Sequence, residues 1–322
     1  MRKLLAFTIV LMFVLPVAVF AGGTKEEKPV TLVFGDLSWD SAAVHNRVAA
    51  YVIQNGIGDY NVEYTAADTL VTVNGLIQGD IDVDMESWHS NFMEVYDKAV
   101  ASGDIVDLGQ NMPDAPQGWW IPRYLTEGAD APAPDLTSVA DLPKYWKLFK
   151  DPEDPSKGLV YMGTAGWSAT KVSEDIFNKY GLADTFNQGV PGSSAALAAT
   201  MVGAYKKREP WVGYYWAPTP ILGKLDMVRL EGSEFEPALV NKLVSKSLTQ
   251  KAPEVVAFLK NYKTTVAENN EFLSVMDDNK WNAAQTALWF LKNKKDVWTA
   301  WVSADVAAKV NAALDAGKVI AE

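Results

Sequence analysis

The sequence predicts an α/β fold built as two lobes with a hinged cleft between them. Strand patterns alternate with helix patterns from Val30 to Leu108, as is typical of a mostly parallel, doubly wound sheet. A second series of the same kind runs from Trp119 to Trp216. Segments rich in proline and glycine at 111–118 and 217–223 indicate two crossings between the lobes. Ligands of such sheets bind beyond the carboxyl ends of the strands, which here places a ligand in the cleft.

The N-terminus has the pattern of a secretory signal peptide. Met1-Arg2-Lys3 precedes an apolar run from Leu4 to Phe20, which ends in the small residue Ala21. We therefore expect a signal peptide over 1–21, a polar tether over 22–28, and a protein located outside the cytoplasmic membrane. A retained membrane anchor is the alternative, because the apolar run is close to spanning length.

Composition limits the class of protein. The chain has 322 residues and no cysteine, which excludes disulfides, redox motifs and lipid attachment through a thiol. Without Arg2 and Lys3, 27 basic residues face 40 acidic ones, a net charge of −13. This charge has the wrong sign for binding phosphate backbones, so we expect no nucleic-acid partner. The length is sufficient for two domains with large cores.

Hydrophobic periodicity locates the elements of the first lobe. A cap at Asp40 or Ser41 is expected for its first helix. The predicted strands are 30–34, 60–64, 81–85 and 105–108, and the predicted helices are 41–54, 69–78 and 91–101.

The second lobe and the C-terminal region follow. The predicted strands are 119–124, 159–163, 211–216 and 227–230, and the predicted helices are 172–180 and 195–206. From Pro237 onward the pattern is mainly helical, with a helix opening at Pro253 and others at 280–291 and 304–314. The predicted division is lobe I over 29–112, lobe II over 113–220, and a return to lobe I over 221–322.

Motifs for catalysis and metal binding are missing from the sequence. The run Asp80-x-Asp82-x-Asp84 has the first spacing of a calcium loop, but Met85 stands where the turn needs glycine. Two histidines and no thiols cannot form a zinc cluster. Neither a nucleophile elbow nor a phosphate-binding glycine loop occurs. We therefore expect no enzyme activity, no metal and no cofactor.

Tryptophan is the informative residue type, with twelve in the chain. Most lie in helical patterns and suit the core. Trp39, Trp88, Trp167 and Trp216 each lie where a predicted strand ends, and both lobes contribute. Aromatic faces attract a quaternary ammonium group, which has no N–H to donate and a delocalised charge. A betaine or choline site is therefore the leading hypothesis.

Three further positions are candidates for this site. His89 follows Trp88 and either donates a hydrogen bond to a ligand anion or is an exposed histidine at a helix start. Adjacent side chains of a strand point to opposite faces, so only one of Trp119 and Trp120 can line the cleft. The same holds for Tyr214 and Tyr215, and Trp119 and Tyr215 are included as candidates.

The chain resembles the substrate-binding proteins of ABC importers for glycine betaine, proline betaine and choline, the osmoprotectant uptake family. The resemblance spans nearly the whole mature chain. It is carried by the strand 79–83 that leads into Trp88, by Gly166-Trp167-Ser168, by the segment Tyr214 to Thr219, and by the C-terminal patterns at 281–291 and 297–301.

This resemblance implies a two-lobed periplasmic-binding-protein fold of type II-like architecture and an ABC permease in the membrane as partner. It implies an aromatic box of Trp88, Trp167 and Trp216, with a ligand carboxylate held by the backbone N–H groups of Ser168 and Ala169. A histidine near the first aromatic, here His89, contributes in some relatives. Choline-binding relatives have a Trp and an Asp in the first loop, which Trp39 and Asp40 match.

Two other classes of protein stay open as alternatives. One is an exported enzyme acting on a quaternary amine or a sugar, since aromatic platforms also stack on sugar rings. The other is a sensory module with the same fold, acting through a separate partner.

Overall fold

The computed structural model describes residues 29–320 except 234, 236 and 237, and it contains two five-stranded sheets. The first sheet has the strand order β2-β1-β3-β10-β4 and the second β7-β6-β8-β5-β9. The predicted signal peptide and tether lie outside the described residues.

The strands are β1 (Val30–Asp36), β2 (Tyr60–Ala66), β3 (Val83–Trp88), β4 (Ile105–Ala115), β5 (Gln117–Pro122), β6 (Gly158–Tyr161), β7 (Phe186–Gly189), β8 (Gly213–Trp216), β9 (Met227–Arg229) and β10 (Ala238–Ser245).

The α-helices are α1 (Asp40–Val52), α2 (Thr69–Gln78), α3 (Met93–Ser102), α4 (Leu142–Tyr145), α5 (Ser168–Lys179), α6 (Ser194–Lys207), α7 (Pro220–Lys224), α8 (Leu248–Lys251), α9 (Pro253–Asn261), α10 (Val266–Asn279), α11 (Ala283–Asn293), α12 (Lys295–Trp298) and α13 (Ala304–Asp315). Among the described residues, none of these helices is long and apolar enough to cross a membrane.

Each sheet is mixed, with one strand that runs against the other four. β1 pairs in parallel with β2 and β3, but β10 runs antiparallel to β3 and β4. In the second sheet β6 pairs in parallel with β7 and β8, whereas β5 is antiparallel to β8 and β9. Four of the five strands in each sheet therefore run in the same direction, as predicted, and the antiparallel exceptions are β10 in the first sheet and β5 in the second.

Strand β10 was expected to be helical and is instead inserted between β3 and β4. Its residues from Val240 to Ser245 are buried without a period of two, so strand alternation does not mark them. Even Lys242 is buried here, and its Nζ donates to the carbonyls of Gly109 and Gln110 on β4 at 3.0 and 2.7 Å.

Two chain segments cross between the sheets. β4 continues into β5 through Pro116 alone, within the segment where the first crossing was predicted. The second change of sheet comes between β9 and β10 and not at 217–223. Pro218 and Pro220 instead form a turn and the start of α7, while β9 stays in the second sheet beside β5. The strand pairing thus extends the second unit past the predicted boundary at 220.

Buried apolar residues form separate cores on the two sides of the cleft. One core packs the first sheet against α1 and the C-terminal helices, and includes Phe34, Phe272 and Trp298. Another packs the second sheet and also includes Trp39 and Trp88 from the first. Apolar packing is therefore continuous from one sheet to the other around these two indoles.

Candidate functional site

A narrow cavity of about 20 Å³ lies between the two sheets. We call it the aromatic cavity, and its lining residues are Trp39, Thr69, Trp88, Asn91, Trp167, Ser168, Ala169, Tyr214 and Trp216. Both sheets contribute aromatic side chains to it.

The four indoles stand at equivalent places in the fold. Trp88 and Trp216 are the last residues of β3 and β8, while Trp39 and Trp167 immediately precede α1 and α5. Each is between 5 and 7% exposed. Strand ends and helix starts of both sheets meet at the cleft, so the fold brings four positions distant in sequence to one cavity.

Trp167 contacts the rings of Trp39, Trp216 and Tyr214. Its centroid lies 5.7 Å from that of Trp39 at an interplanar angle of 85°, and 5.1 Å from that of Trp216 at 87°. Tyr214 stacks nearly parallel to Trp216, with centroids 6.0 Å apart at 20°. Edge-to-face and offset contacts are the favoured arrangements of aromatic rings, so these walls support one another.

A buried glutamate holds two of the indoles. Glu86 Oε1 accepts hydrogen bonds from Trp39 Nε1 at 2.8 Å, Trp88 Nε1 at 3.1 Å and Ser41 Oγ at 3.0 Å. Glu86 and Trp88 are two residues apart on β3, so their side chains lie on the same face. Ser41 was expected as a possible cap of α1, but the helix has no side-chain cap and this hydroxyl bonds the carboxylate instead.

Burial raises the pKa of Glu86 to about 7, against the lowering effect of its three hydrogen bonds. Asp84, on the same face of β3, also has its pKa raised by burial to about 7. Two carboxyl groups therefore change their charge near neutral pH directly behind the aromatic cavity.

The polar end of the cavity includes the N-terminus of α5. Ser168 and Ala169 are the first two residues of this helix and both line the cavity. N–H groups in the first helical turn have no intrahelical acceptor and carry the positive end of the helix dipole. This arrangement can accept an anionic group of a ligand.

The loop before α5 also contacts the first sheet. Trp167 Nε1 donates to Ser38 Oγ at 3.0 Å and to Asp68 Oδ1 at 3.3 Å, and Ser38 Oγ donates to Asp68 Oδ1 at 2.6 Å. Gly166 has φ +89°, and a Cβ at this position would lie 3.1 Å from Asp68. The close approach of the two sides therefore depends on glycine here.

Two further contacts join the sides of the cleft. Tyr214 donates through its hydroxyl to Gln117 Oε1 at 2.8 Å, and Asn91 Nδ2 donates to the same oxygen at 3.0 Å. Lys224 on α7 forms ion pairs with Asp277 and Asp278 on α10 at 2.5 and 2.8 Å.

Comparison with known proteins identifies the family. Residues 30–293 match OpuAC, the substrate-binding domain of ABC-type glycine betaine transport systems. The chain belongs to this family. It is therefore a substrate-binding protein of the ABC transport class, and the family is one of binding proteins rather than enzymes.

Three similar proteins share 19 to 23% of their residues with this chain. The chain is 23% identical to the trimethylamine N-oxide-binding protein of Pelagibacter ubique (strain HTCC1062), over 93% of this chain and 99% of that protein. The glycine betaine/L-proline-binding protein ProX of Borrelia burgdorferi superposes with a TM-score of 0.75 at 20% identity, covering 87% of this chain and 99% of that one. A choline-binding protein in complex with choline superposes with a TM-score of 0.76 at 19% identity, covering 88% and 98%. These superpositions confirm the predicted two-lobed α/β fold of the binding-protein type.

Among the predicted binding residues of this OpuAC-family chain, Trp39, Trp88, Trp167, Trp216, Ser168 and Ala169 line the aromatic cavity.

Four other predicted residues lie elsewhere. Tyr215 and Asp40 line a wider cleft of about 440 Å³, which Trp39 and Trp216 also border. Of the tyrosine pair it is therefore Tyr214 that faces the aromatic cavity. Trp119 is fully buried in the second lobe, where its Nε1 donates to Ser173 Oγ at 3.2 Å. His89 is buried behind the cavity, with its ring stacked on Tyr96 at 4.3 Å.

Sequence reasoning missed Glu86, Thr69 and Asn91. A carboxylate in a buried strand two residues before a cavity tryptophan is a usable signal for Glu86, because the period of two puts both on one face. Thr69 begins α2 and Asn91 lies in the short 3-10 turn before α3, and neither position had such a signal.

Proposed function

We propose that this protein is an extracytoplasmic receptor that binds a small methylated ammonium compound in the aromatic cavity and delivers it to an ABC permease, with osmoprotection as the biological purpose. The observation that carries the proposal is the convergence of four indoles from both sheets on one cavity. Family membership supports the transport role.

The binding free energies expected for this cavity suit a solute receptor. Three to four aromatic faces contribute roughly 3–6 kcal/mol of cation–π attraction. Alone this corresponds to about millimolar affinity or weaker. Hydrogen bonds from the N–H groups of Ser168 and Ala169 to an anionic ligand group, about 1.5–3 kcal/mol each before ordering costs, bring the affinity into the micromolar range.

The chemistry of the cavity narrows the ligand class. The start of α5 favours a ligand whose second end is anionic, such as the carboxylate of a betaine or the oxygen of an N-oxide. Relatives named for trimethylamine N-oxide, for glycine betaine with L-proline, and for choline support the same class. Asp40, the residue matched to choline recognition, lies in the wider cleft, which makes choline the weakest of these candidates.

Titration calorimetry of the protein from residue 22 onward tests the proposal. Glycine betaine, proline betaine, trimethylamine N-oxide and choline are compared with glycine and proline, which lack the methyl groups, and with 3,3-dimethylbutyrate, which replaces the charged nitrogen by carbon. Binding of at least one methylated cation, with no binding of the controls, is expected. Equal affinities for glycine betaine and 3,3-dimethylbutyrate would contradict the cation-binding cavity.

Delivery to a permease and the enzyme alternative need separate measurements. Cells that lack the gene should lose uptake of the labelled ligand and grow more slowly at high osmolarity. Ligand incubated with the protein should be recovered unchanged by NMR. Conversion of the ligand to a product would favour the exported enzyme instead.

A further inference from the structure

Glu86 has an unusual arrangement of hydrogen bonds. All three of its donors, the two indole N–H groups of Trp39 and Trp88 and the hydroxyl of Ser41, converge on Oε1. The other oxygen, Oε2, is buried and has no hydrogen-bond partner among the described residues. The side chain itself has no exposed surface.

The bonds at Oε1 couple two walls of the aromatic cavity. An indole has a single N–H, so bonding it to a fixed acceptor restricts rotation of the whole ring. Trp39 and Trp88 come from different elements, and Glu86 is the common acceptor of both. Loss of this acceptor therefore releases two rings at once.

Because Oε2 has no hydrogen-bond partner among the described residues, the negative charge of the ionised Glu86 carboxylate is poorly compensated. A buried ionised carboxylate is costly unless a cation or several donors compensate it. Among the described residues, the basic group within ion-pair distance is His45, whose Nε2 lies 4.0 Å from Oε2. Burial lowers the pKa of His45 to about 3, so this ring is neutral at physiological pH. A cation bound on the opposite side of the indoles would supply the missing charge.

We propose that Glu86 is the positioning residue of the aromatic cavity, which fixes the Trp39 and Trp88 rings through Oε1 and couples binding of a methylated cation to release of a proton. The inference rests on the proposed function. In the free protein a fraction of Glu86 carries its proton on the carboxyl group. When the cation binds, the O–H bond breaks, the electron pair stays on the carboxylate, and the proton passes to the buffer.

The charge state of Glu86 at neutral pH supports this coupling, since burial raises its pKa to about 7. A bound cation favours the ionised form and lowers that pKa, and by linkage the affinity for the cation rises as Glu86 ionises.

Other groups around Glu86 set the pH window for the measurement. Asp84 on the same face of β3 has its pKa raised by burial to about 7, and burial also raises the pKa of Tyr262, which contacts His45. Lys242 on β10 has its pKa lowered by burial to about 8. Asp40 stands at the start of α1. Burial lowers the pKa of His89, which lies just beyond the end of β3. Asp84 is thus the neighbouring group whose charge changes over the same pH range as that of Glu86.

The test is titration calorimetry of the whole mature protein with glycine betaine from about pH 5.5 to about pH 7.5, a range in which the ligand's own charges do not change. Each pH is measured in two buffers of different ionisation enthalpy, which yields the number of protons released. For the unsubstituted protein, the affinity is expected to rise about fivefold or more over this range. A net release of protons is expected with it.

Three variants separate charge from ring positioning. Glu86→Gln keeps an acceptor for the indoles but has no charge, and is expected to bind with a pH-independent, weaker affinity and no linked proton release. Glu86→Ala removes the acceptor too and is expected to bind more weakly than Glu86→Gln at every pH, with an altered tryptophan fluorescence. Asp84→Asn is the matched control, because it removes a neighbouring buried carboxyl that touches neither indole, and it is expected to keep the proton release.

The outcomes distinguish this inference from the proposed function. If the unsubstituted protein binds glycine betaine with pH-independent affinity and no proton release, the coupling is wrong while the receptor function stands. Proton release that disappears in Asp84→Asn and persists in Glu86→Gln also overturns it. If no methylated ammonium compound binds at any pH, the proposed function fails and this inference falls with it. If Glu86→Gln does not fold, the number of protons released on binding by the unsubstituted protein and by Asp84→Asn decides whether Glu86 is the source of the proton.

Discussion

The indole of Trp39, which follows the first strand of one sheet, meets the indole of Trp167 from the other lobe edge to face, with centroids 5.7 Å apart. Each ring is also tied to the first lobe by its N–H, Trp39 to Glu86 and Trp167 to Ser38 and Asp68. A ring of the second lobe is thus held by acceptors of the first, so the cavity is complete only when the lobes are together.

Replacing Trp167 by alanine is expected to weaken binding of glycine betaine by about 1–3 kcal/mol, because a cation–π face and buried apolar area are lost together. Trp298→Ala is the control, since Trp298 is fully buried in the core of the first lobe and its Nε1 donates to the carbonyl of Leu291 at 2.8 Å. This control should lower the free energy of unfolding and leave the affinity nearly unchanged. Calorimetry and urea unfolding of both variants provide the comparison, and an unaltered affinity in Trp167→Ala would speak against the cavity.

Substituting Gly166 by alanine should weaken ligand binding at least several-fold. The residue has φ +89° and its Cβ would lie 3.1 Å from Asp68, so an L side chain strains the backbone and pushes the lobes apart. Gly192→Ala serves as the matched control in the same lobe, because nothing lies within 4 Å of its Cβ position. Similar affinities for the two variants, measured by calorimetry, would show that this close approach does not matter for binding.

Ligand binding should make the molecule more compact. The aromatic cavity takes its walls from both sheets, so a bound cation contacts both lobes and shifts the population toward the closed arrangement. Small-angle scattering is expected to give a smaller radius of gyration with saturating glycine betaine than without it. An unchanged radius would argue against closure, though not against binding.

The ion pairs of Lys224 should contribute little to this closure. Lys224 bonds Asp277 and Asp278 across the cleft, but its side chain is 47% exposed, and exposed pairs are worth about 0–1 kcal/mol. Lys224→Met is therefore expected to change the dissociation constant less than about fivefold, the equivalent of that free energy. A larger loss of affinity at low ionic strength would mean that these ion pairs contribute strongly to closure.

The stability of the ligand-free protein should fall as the pH rises toward and through neutrality. Burial raises the pKa values of Asp84 and Glu86 to about 7, above their unfolded values of about 4, so the folded state binds more protons between these limits. The contribution of these two carboxyl groups to the free energy of unfolding is complete at low pH and is lost as the pH rises through about 7. Urea unfolding at about pH 5 and about pH 7.5 should show this slope, and Asp84→Asn should reduce it by about 1 kcal/mol or more. An unchanged slope in that variant would place the effect elsewhere.

Strand ends were the part of the site that could be predicted from sequence. Trp88 and Trp216 are the last residues of buried strands, and the geometry of α/β sheets brings such ends to the cleft. Side-chain facing could not be predicted, because a one-residue change of register exchanges the faces. That is why Tyr214 rather than Tyr215 lines the aromatic cavity, and why Trp119 belongs to the core.

Long-range strand pairing explains another difference between the predicted elements and the structure. β10 is contributed from more than a hundred residues beyond the strands it separates, and local periodicity holds no information on such a partner. His89 was predicted either to reach a ligand anion or to be exposed at a helix start. It lies in a short 3-10 turn after β3, where it is buried and its ring stacks on Tyr96. The spacing on β3 could place Glu86 on the same face as Trp88, but it could not show that Trp39, 47 residues away in sequence, donates to the same oxygen.

The position of β10 has a consequence for biosynthesis. The second sheet is formed by one continuous stretch from Gln117 to Arg229, whereas the first sheet lacks its fourth strand in spatial order until residue 245 has emerged. During synthesis or translocation, β3 and β4 have no partner strand between them over that interval. We therefore expect the second lobe to fold first and the first lobe to stay open to chaperones until the chain is nearly complete.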